Sequence, residues 1–198
     1  MTECTECTII IIKVHFGGFG MSNTEFIKQL REQTGAKILD CKNALIIGNG
    51  DYSKALVLLK EKGIESAKRR TYRLTKSGII GHYVHNNQRL GVLVEIYCET
   101  EPATSTQIFK DFVRDIAMHI AAMKPKYITT ADVPSIDLEQ MNYDEHQAFY
   151  RINCLMEQDY YKDTNKSIQD VFLEIIEKLK ENVTVKRFIY FEVSDDHE

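Results

Sequence analysis

At Gly78 the apolar residues of this 198-residue chain stop recurring at helical spacing and begin to alternate, and that change of period limits the fold more than any other feature. Upstream, Phe26, Ile27 and Leu30 form one stripe that ends at Thr34-Gly35, and Ile38, Cys41, Ala44 and Leu45 form a second within Lys37 to Ile47, ended by Gly48. Tyr52, Ala55, Leu56 and Leu59 then fall at i, i+3, i+4 and i+7 ahead of Gly63. These spacings predict three short helices, with Ser22, Asn23 and Asp51 as N-cap candidates and the glycines as stops. Downstream, Ile80, His82 and Val84 alternate with Gly81, Tyr83 and His85. Asn86-Asn87-Gln88 turns the chain, and Leu90, Val92, Val94, Ile96 and Cys98 line one face of a second strand, so a β-hairpin is expected.

The remaining pattern completes an α+β layout. Ile108, Phe109, Phe112, Val113, Ile116, Ile120 and Ala121 trace a helix from about Thr104 to Met123 that can cover the hairpin's apolar face. Pro125 and Pro134 break up the stretch that follows, where a helix near Glu145 to Leu155 is expected. Ser167 and Asp170 form a variant capping box ahead of the ladder Ile168, Val171, Phe172, Ile175, Ile176 and Leu179. Val183, Val185, Ile189, Phe191 and Val193 share one parity and predict a last strand paired with the hairpin.

The expected fold class is therefore a three-helix module followed by a small antiparallel sheet packed with helices. In residue ranges, 1–23 read as a leader, 24–66 as the helical module, 67–77 as a basic linker, 78–194 as the α+β core and 195–198 as an acidic tail. The leader's MTECTECT, IIII and GGFG stretches differ from everything after Met21, which fits an upstream extension with Met21 as the natural start. It has Glu3 and Glu6 but no Arg or Ser, unlike an import signal. From Lys60 to Lys76, seven basic residues face only Glu61 and Glu65, which reads as a solvated hinge, with steering toward RNA or an acidic partner as the rival.

Chemistry is scarce. The formal charge is -4, so nucleic acid is not the default partner, and no apolar run approaches the roughly 18 residues that cross a bilayer. Five cysteines, an odd number with no secretory signal, fit reduced thiols. Cys4 and Cys7 have half a zinc spacing, but with His15 they reach only three ligands. His82 and His85 lie three apart on a strand and point to opposite faces, so they do not share an ion. Cys98 closes an apolar face and reads as a buried thiol rather than a nucleophile. No phosphate-cradling loop, dinucleotide fingerprint, nucleophile elbow or zinc-protease helix occurs. The expectation is no metal, no cofactor, no catalytic residue and no enzyme activity.

Order and wording carry more. LREQTGAKILDCKNAL at Leu30 to Leu45 resembles the opening signature of the elongation factor Ts family. GD-x-x-x-A at Gly50 to Ala55, KGIESAKR at Lys62 to Arg69, GVLVEIYCET at Gly91 to Thr100 and VTVKRFIYFEV at Val183 to Val193 follow in the family's order. The likeness runs from about Thr24 to Ala122 and resumes from about Leu155 to Val193. GVLVEIYCET and DIAMHIAA look most like the short cyanobacterial and plastid forms, and the region from Pro134 to Leu155 is shortened against them.

This resemblance implies an N-terminal ubiquitin-associated-like module joined to an α+β core, and guanine nucleotide exchange on the GTPase elongation factor Tu. The missing nucleotide motifs agree, because the GDP belongs to the partner. It further implies that Arg31, Ile38 and Leu39 dock the small module. Ile38 and Leu39 point about 100° apart on a helix, so at least one of them is expected at the surface. The family's TDFV wedge aligns with Thr100, Glu101, Pro102 and Ala103, which keep a carboxylate but lose the aromatic, so weaker binding or slower exchange is expected. Pro102 is expected to hold Glu101 extended. Asp111-Phe112-Val113 reads as packing within its helix. A non-exchanging partner or chaperone of the same GTPase is the alternative, and a homodimer stays open. The implied compartment is a plastid stroma or a bacterial cytoplasm.

Overall fold

The structure is a computed structural model describing residues 23–138 and 141–193. The leader and tail expectations, with Cys4, Cys7, His15 and Met21, lie outside the described residues. Two compact units are present, one up to Leu56 and one from Val57 on.

The first unit holds α1 (Asn23–Thr34), α2 (Ile38–Ile47) and the opening turn of α3 (Tyr52–Arg70). Gly35 stops α1 in the left-handed region at φ +63, where only glycine is free of strain, and its N–H donates to the Arg31 carbonyl. Asp51 caps α3, its Oδ1 accepting the N–H of Ser53 at 2.8 Å and of Lys54 at 3.1 Å. Leu30, Cys41, Ala44, Leu45 and Ala55 are buried, and the rings of Phe26 and Tyr52 lie 5.6 Å apart.

α3 does not end at Gly63 as the sequence predicts but continues to Arg70. A mid-helix glycine costs only about 1 kcal/mol relative to alanine. Here its bare Cα admits Glu177, whose Cγ would lie 3.0 Å from any Cβ. The stop signal was in fact a packing site.

The second unit is built on β1 (Ser77–Val84), β2 (Leu90–Cys98) and β5 (Val183–Glu192), antiparallel in the order β1-β2-β5. Its other elements are α4 (Glu101–Ser105), α5 (Gln107–Met123), α6 (Tyr143–Asn153), α7 (Ile168–Leu179) and a hairpin of β3 (Asp159–Tyr160) with β4 (Asp163–Ser167). Val92, Val94, Ile96 and Cys98 face a core shared with Phe109, Val113, Ile116 and Ile120 of α5 and Phe172, Ile175 and Ile176 of α7. Each such large side chain contributes roughly 1.5–3 kcal/mol by leaving water. The rings of Phe112 and Phe172 meet edge to face at 4.8 Å, so Phe112 is packing as predicted. Gly81 is the close approach: a Cβ there would stand 2.3 Å from Val113 Cγ1.

Three elements depart from the sequence reading. The helix expected from Thr104 is two: Thr106 accepts the N–H of Phe109 and caps α5 afresh after the short α4. The helix near Glu145 to Leu155 is α6, opened by a capping box between Asn142 and Glu145. The parity of β5 breaks. Ile96 pairs with Val185 but Glu95 with Arg187, which leaves Lys186 as an extra residue. Val183 and Val185 therefore turn inward with the core, whereas Ile189 and Phe191 turn outward and are exposed.

Candidate partner-binding surfaces

Partner surfaces are sought first in α2, because its sequence ILDCKNALII has apolar residues on every side. Cys41, Ala44 and Leu45 use one face for burial. The rest of the helix leaves Ile38 56% and Leu39 66% exposed, and Ile46 and Ile47 to a similar degree, with Ile38 at the margin of the buried face and the other three turned away from it. At least one of the first pair was expected at the surface; both are there. Four exposed aliphatics along one short helix are costly in water unless something covers them. Ile38 borders a hollow of about 500 Å³, lined also by Thr24, Ile27, Lys28, Arg31 and Glu32. Arg31 and Ile38 thus share one hollow of the first unit. Ile46 and Ile47 were missed by sequence reasoning, although the all-round apolar character of α2 signals them.

The second surface is the loop from β2 into α4. Thr100 is extended at φ -129 and ψ 152 and is the N-cap of α4, with no capping bond from its own side chain. Glu101 opens the helix, so the extended residue is Thr100 and not Glu101 as Pro102 was expected to impose. Pro102 sits in the first turn, where its missing N–H costs nothing. Thr100, Glu101 and Pro102 are exposed, whereas Ala103 is 8% exposed and belongs to the core cluster. The chain thus presents a carboxylate and a pyrrolidine ring at the tip and anchors itself through the alanine.

The loop is held from both sides. The Cys98 thiol donates to the Thr100 carbonyl at 3.1 Å, and the Thr104 hydroxyl donates to the Glu101 carbonyl at 2.6 Å. Glu181, from the turn between α7 and β5, accepts the Thr100 N–H at 3.0 Å and the Thr100 hydroxyl at 2.6 Å. In the reverse direction Glu99 accepts the Asn182 N–H at 2.7 Å. Neither Glu181 nor Asn182 was singled out from sequence, because about 80 residues separate them from the loop they hold.

Burial pushes the Cys98 thiol up, and pushes the Cys154 thiol up to about 11, so neither is a ready nucleophile. His82 and His85 are exposed, and the Tyr83 hydroxyl lies 3.0 Å from His85 Nδ1. Among the described residues no three His, Cys, Asp or Glu side chains group as a metal site, and no helix is long and apolar enough to cross a membrane. In the basic run, Arg69 pairs with Glu65, Arg73 with Glu99, and Arg70 donates to Ser66.

Comparison with known proteins gives one consistent result. A family model described as Elongation factor TS matches residues 24–148. The Elongation factor Ts of Thermoanaerobacter sp. (strain X514) is 40% identical over 193 residues, covering 87% of this chain and 95% of that protein. That of Caldanaerobacter subterraneus subsp. tengcongensis is also 40% identical over 193 residues, covering 87% and 96%. That of Fervidobacterium nodosum is 39% identical over 194 residues, covering 87% and 98%. With both the motif order and these full-length likenesses in agreement, the chain belongs to the elongation factor Ts family.

Proposed function

We propose that the chain is a guanine nucleotide exchange factor for elongation factor Tu. The α2 face binds the GTPase, and the loop from Thr100 to Ala103 disturbs its Mg²⁺ and phosphate site. The observation that carries this reading is the pair of large aliphatic side chains, Ile38 and Leu39, left more than half exposed in a module that has little apolar surface to spare. Arg31 rims the same surface and supplies a guanidinium to a carboxylate or carbonyl on the partner. The physics is reciprocal coupling: a factor that prefers the empty GTPase loosens GDP by the free energy with which GDP loosens the factor. Nothing covalent is needed, and neither a cofactor nor a catalytic residue enters. The compartment implied is a bacterial cytoplasm or a plastid stroma.

The loop reads Glu101-Pro102-Ala103 where the family wedge has Asp-Phe-Val, so exchange is slower or binding weaker than in a TDFV form. The non-exchanging chaperone is the competing reading. Release of a fluorescent GDP analogue from elongation factor Tu, followed by stopped flow, decides between them. Acceleration at micromolar protein is the expected result, and association without acceleration selects the chaperone.

A homodimer is supported by a different observation. On the outer face of the sheet Ile80, Val84, Leu93, Ile189 and Phe191 are all exposed, and Leu93 pairs directly with Ile189. A second copy related by a two-fold axis brings the same patch and covers these groups. Sedimentation of the wild type and of Ile189→Asp tests this, with the variant expected to shift to monomer.

A further inference from the structure

α4 has five residues, too few for its own backbone bonds to hold it, because nucleating a helical turn costs more than so short a run returns. The Thr104 and Thr106 hydroxyls donate to the carbonyls of Glu101 and Ala103, but these bonds are local and move with the segment. Ala103 roots the C-terminal half of the segment in the core cluster, and the exposed N-terminal end that carries Glu101 and Pro102 is left to be fixed from outside.

We infer that the Glu181 carboxylate is a positioning group for the exchange loop: by accepting both the N–H and the hydroxyl of Thr100, it holds Glu101 and Pro102 in the presented conformation at the end of the sheet. The inference rests on the exchange reading above. Both Thr100 donors are taken by one carboxylate, one on each oxygen, at 3.0 and 2.6 Å. Such charge-assisted bonds are about twice as strong as neutral ones and fix orientation as well as distance.

A positioning group is only as good as its base, and this base is rigid. The flanking residues Cys98 and Val183 pair across β2 and β5, so the two loops leave the sheet side by side. Asn182, next to Glu181, is 1% exposed. Its N–H donates to Glu99, and its side-chain amide donates to the carbonyls of Thr71 at 3.0 Å and Arg73 at 2.6 Å. The segment leaving α3, the turn before α4 and the turn before β5 are thereby tied at one buried asparagine. Glu99 reaches across to Asn182 and Glu181 reaches back to Thr100, so each turn restrains the other.

The test measures GDP release from elongation factor Tu against concentration of the full chain, for wild type, Glu181→Ala, Glu181→Gln, Thr100→Val and the Glu181→Ala/Thr100→Val double variant. Glu181→Ala is expected to lower the maximal release rate about tenfold, while the half-saturating concentration, set by the α2 face, moves less than about twofold. Glu181→Gln keeps one acceptor and falls between. Thr100→Val loses only the hydroxyl bond, and the double variant is no slower than Glu181→Ala, because both act through one contact. A Glu181→Ala maximal rate equal to wild type overturns the inference, as do additive losses in the double variant. A general loss of packing would move half-saturation and melting temperature together. If Glu181→Ala does not fold, Thr100→Val and Glu181→Gln decide by the same split, since Thr100 is exposed. Wild-type protein that releases no nucleotide overturns the exchange reading and this inference with it, whereas active wild type with unaffected variants overturns the inference alone.

Discussion

On the proposed exchange reading, replacing Pro102 by phenylalanine supplies the loop with an aromatic at an exposed position that accepts it without strain. Pro102 is exposed in the first turn of α4, so a ring there meets solvent or the partner and not the core. Its restored N–H falls among the helix donors that have no intrahelical acceptor in any case, so no buried bond is lost. The cost is the extra freedom of the unfolded chain, about 0.4–1 kcal/mol. The gain is an aromatic anchor at an interface, about 2 kcal/mol, or roughly thirtyfold in affinity. Pro102→Phe is therefore expected to release GDP from elongation factor Tu at a concentration about ten- to thirtyfold lower than wild type, with melting lowered by only a few degrees. The neighbouring change, Ala103→Val, behaves oppositely. Ala103 lies in the core cluster, and two added methyl groups overpack it by about 1–3 kcal/mol. Thermal melting followed by circular dichroism and stopped-flow release on the same samples separate the two effects. A folded Pro102→Phe protein whose exchange is unchanged or slower would falsify the assignment of this loop as the exchange element.

Other outcomes follow from the same geometry. Gly81→Ala sets a Cβ 2.3 Å from Val113 Cγ1, and chemical denaturation should show a loss of about 1–3 kcal/mol; a neutral result means β1 and α5 are not in contact in solution. Leu39→Asp should abolish association with elongation factor Tu in a pull-down while leaving the melting temperature within a few degrees, because Leu39 is exposed. His119 is fully buried in α5, with Nε2 3.0 Å from Gln158 Oε1 and no partner on Nδ1, and burial lowers its pKa. The unfolded state thus takes the proton first, so this stability is fully present above about pH 6.5 and declines as pH falls below it, by up to about 1.4 kcal/mol per pH unit, until the buried ring itself protonates. Urea midpoints at pH 7.5 and 5 should show a drop that His119→Gln reduces, and an identical drop in the variant would count against it.

Local signals were legible in the sequence and distant ones were not. The capping box at Ser167 and Asp170, the hairpin turn after His85 and the stripe of α5 are written in residues three or four apart, and the fold follows them. Gly63 and the β5 alternation misled because each depends on a neighbour far along the chain: Glu177 packs over the glycine, and the register against β2 displaces Lys186. At the candidate site the same division holds. The exposed face of α2 is readable from its composition. The hold on Thr100 is not, because it joins a turn near residue 100 to one near residue 181, and only the pairing of β2 with β5 brings them together.

The surplus lysine in β5 has a consequence for the whole sheet. Had the ladder run on unbroken, Arg187 would have followed Val183 and Val185 under α5 and α7, and a guanidinium would have entered the greasy interior. Slipping by one position lets Arg187 surface and meet Glu95 at 2.5 Å, and in exchange commits Ile189 and Phe191 to the far side. Deleting Lys186 would simply close the ladder with Arg187 still opposite Glu95, whereas drawing it into the ladder would turn over every residue beyond it, so the surplus residue is what keeps a guanidinium out of the interior.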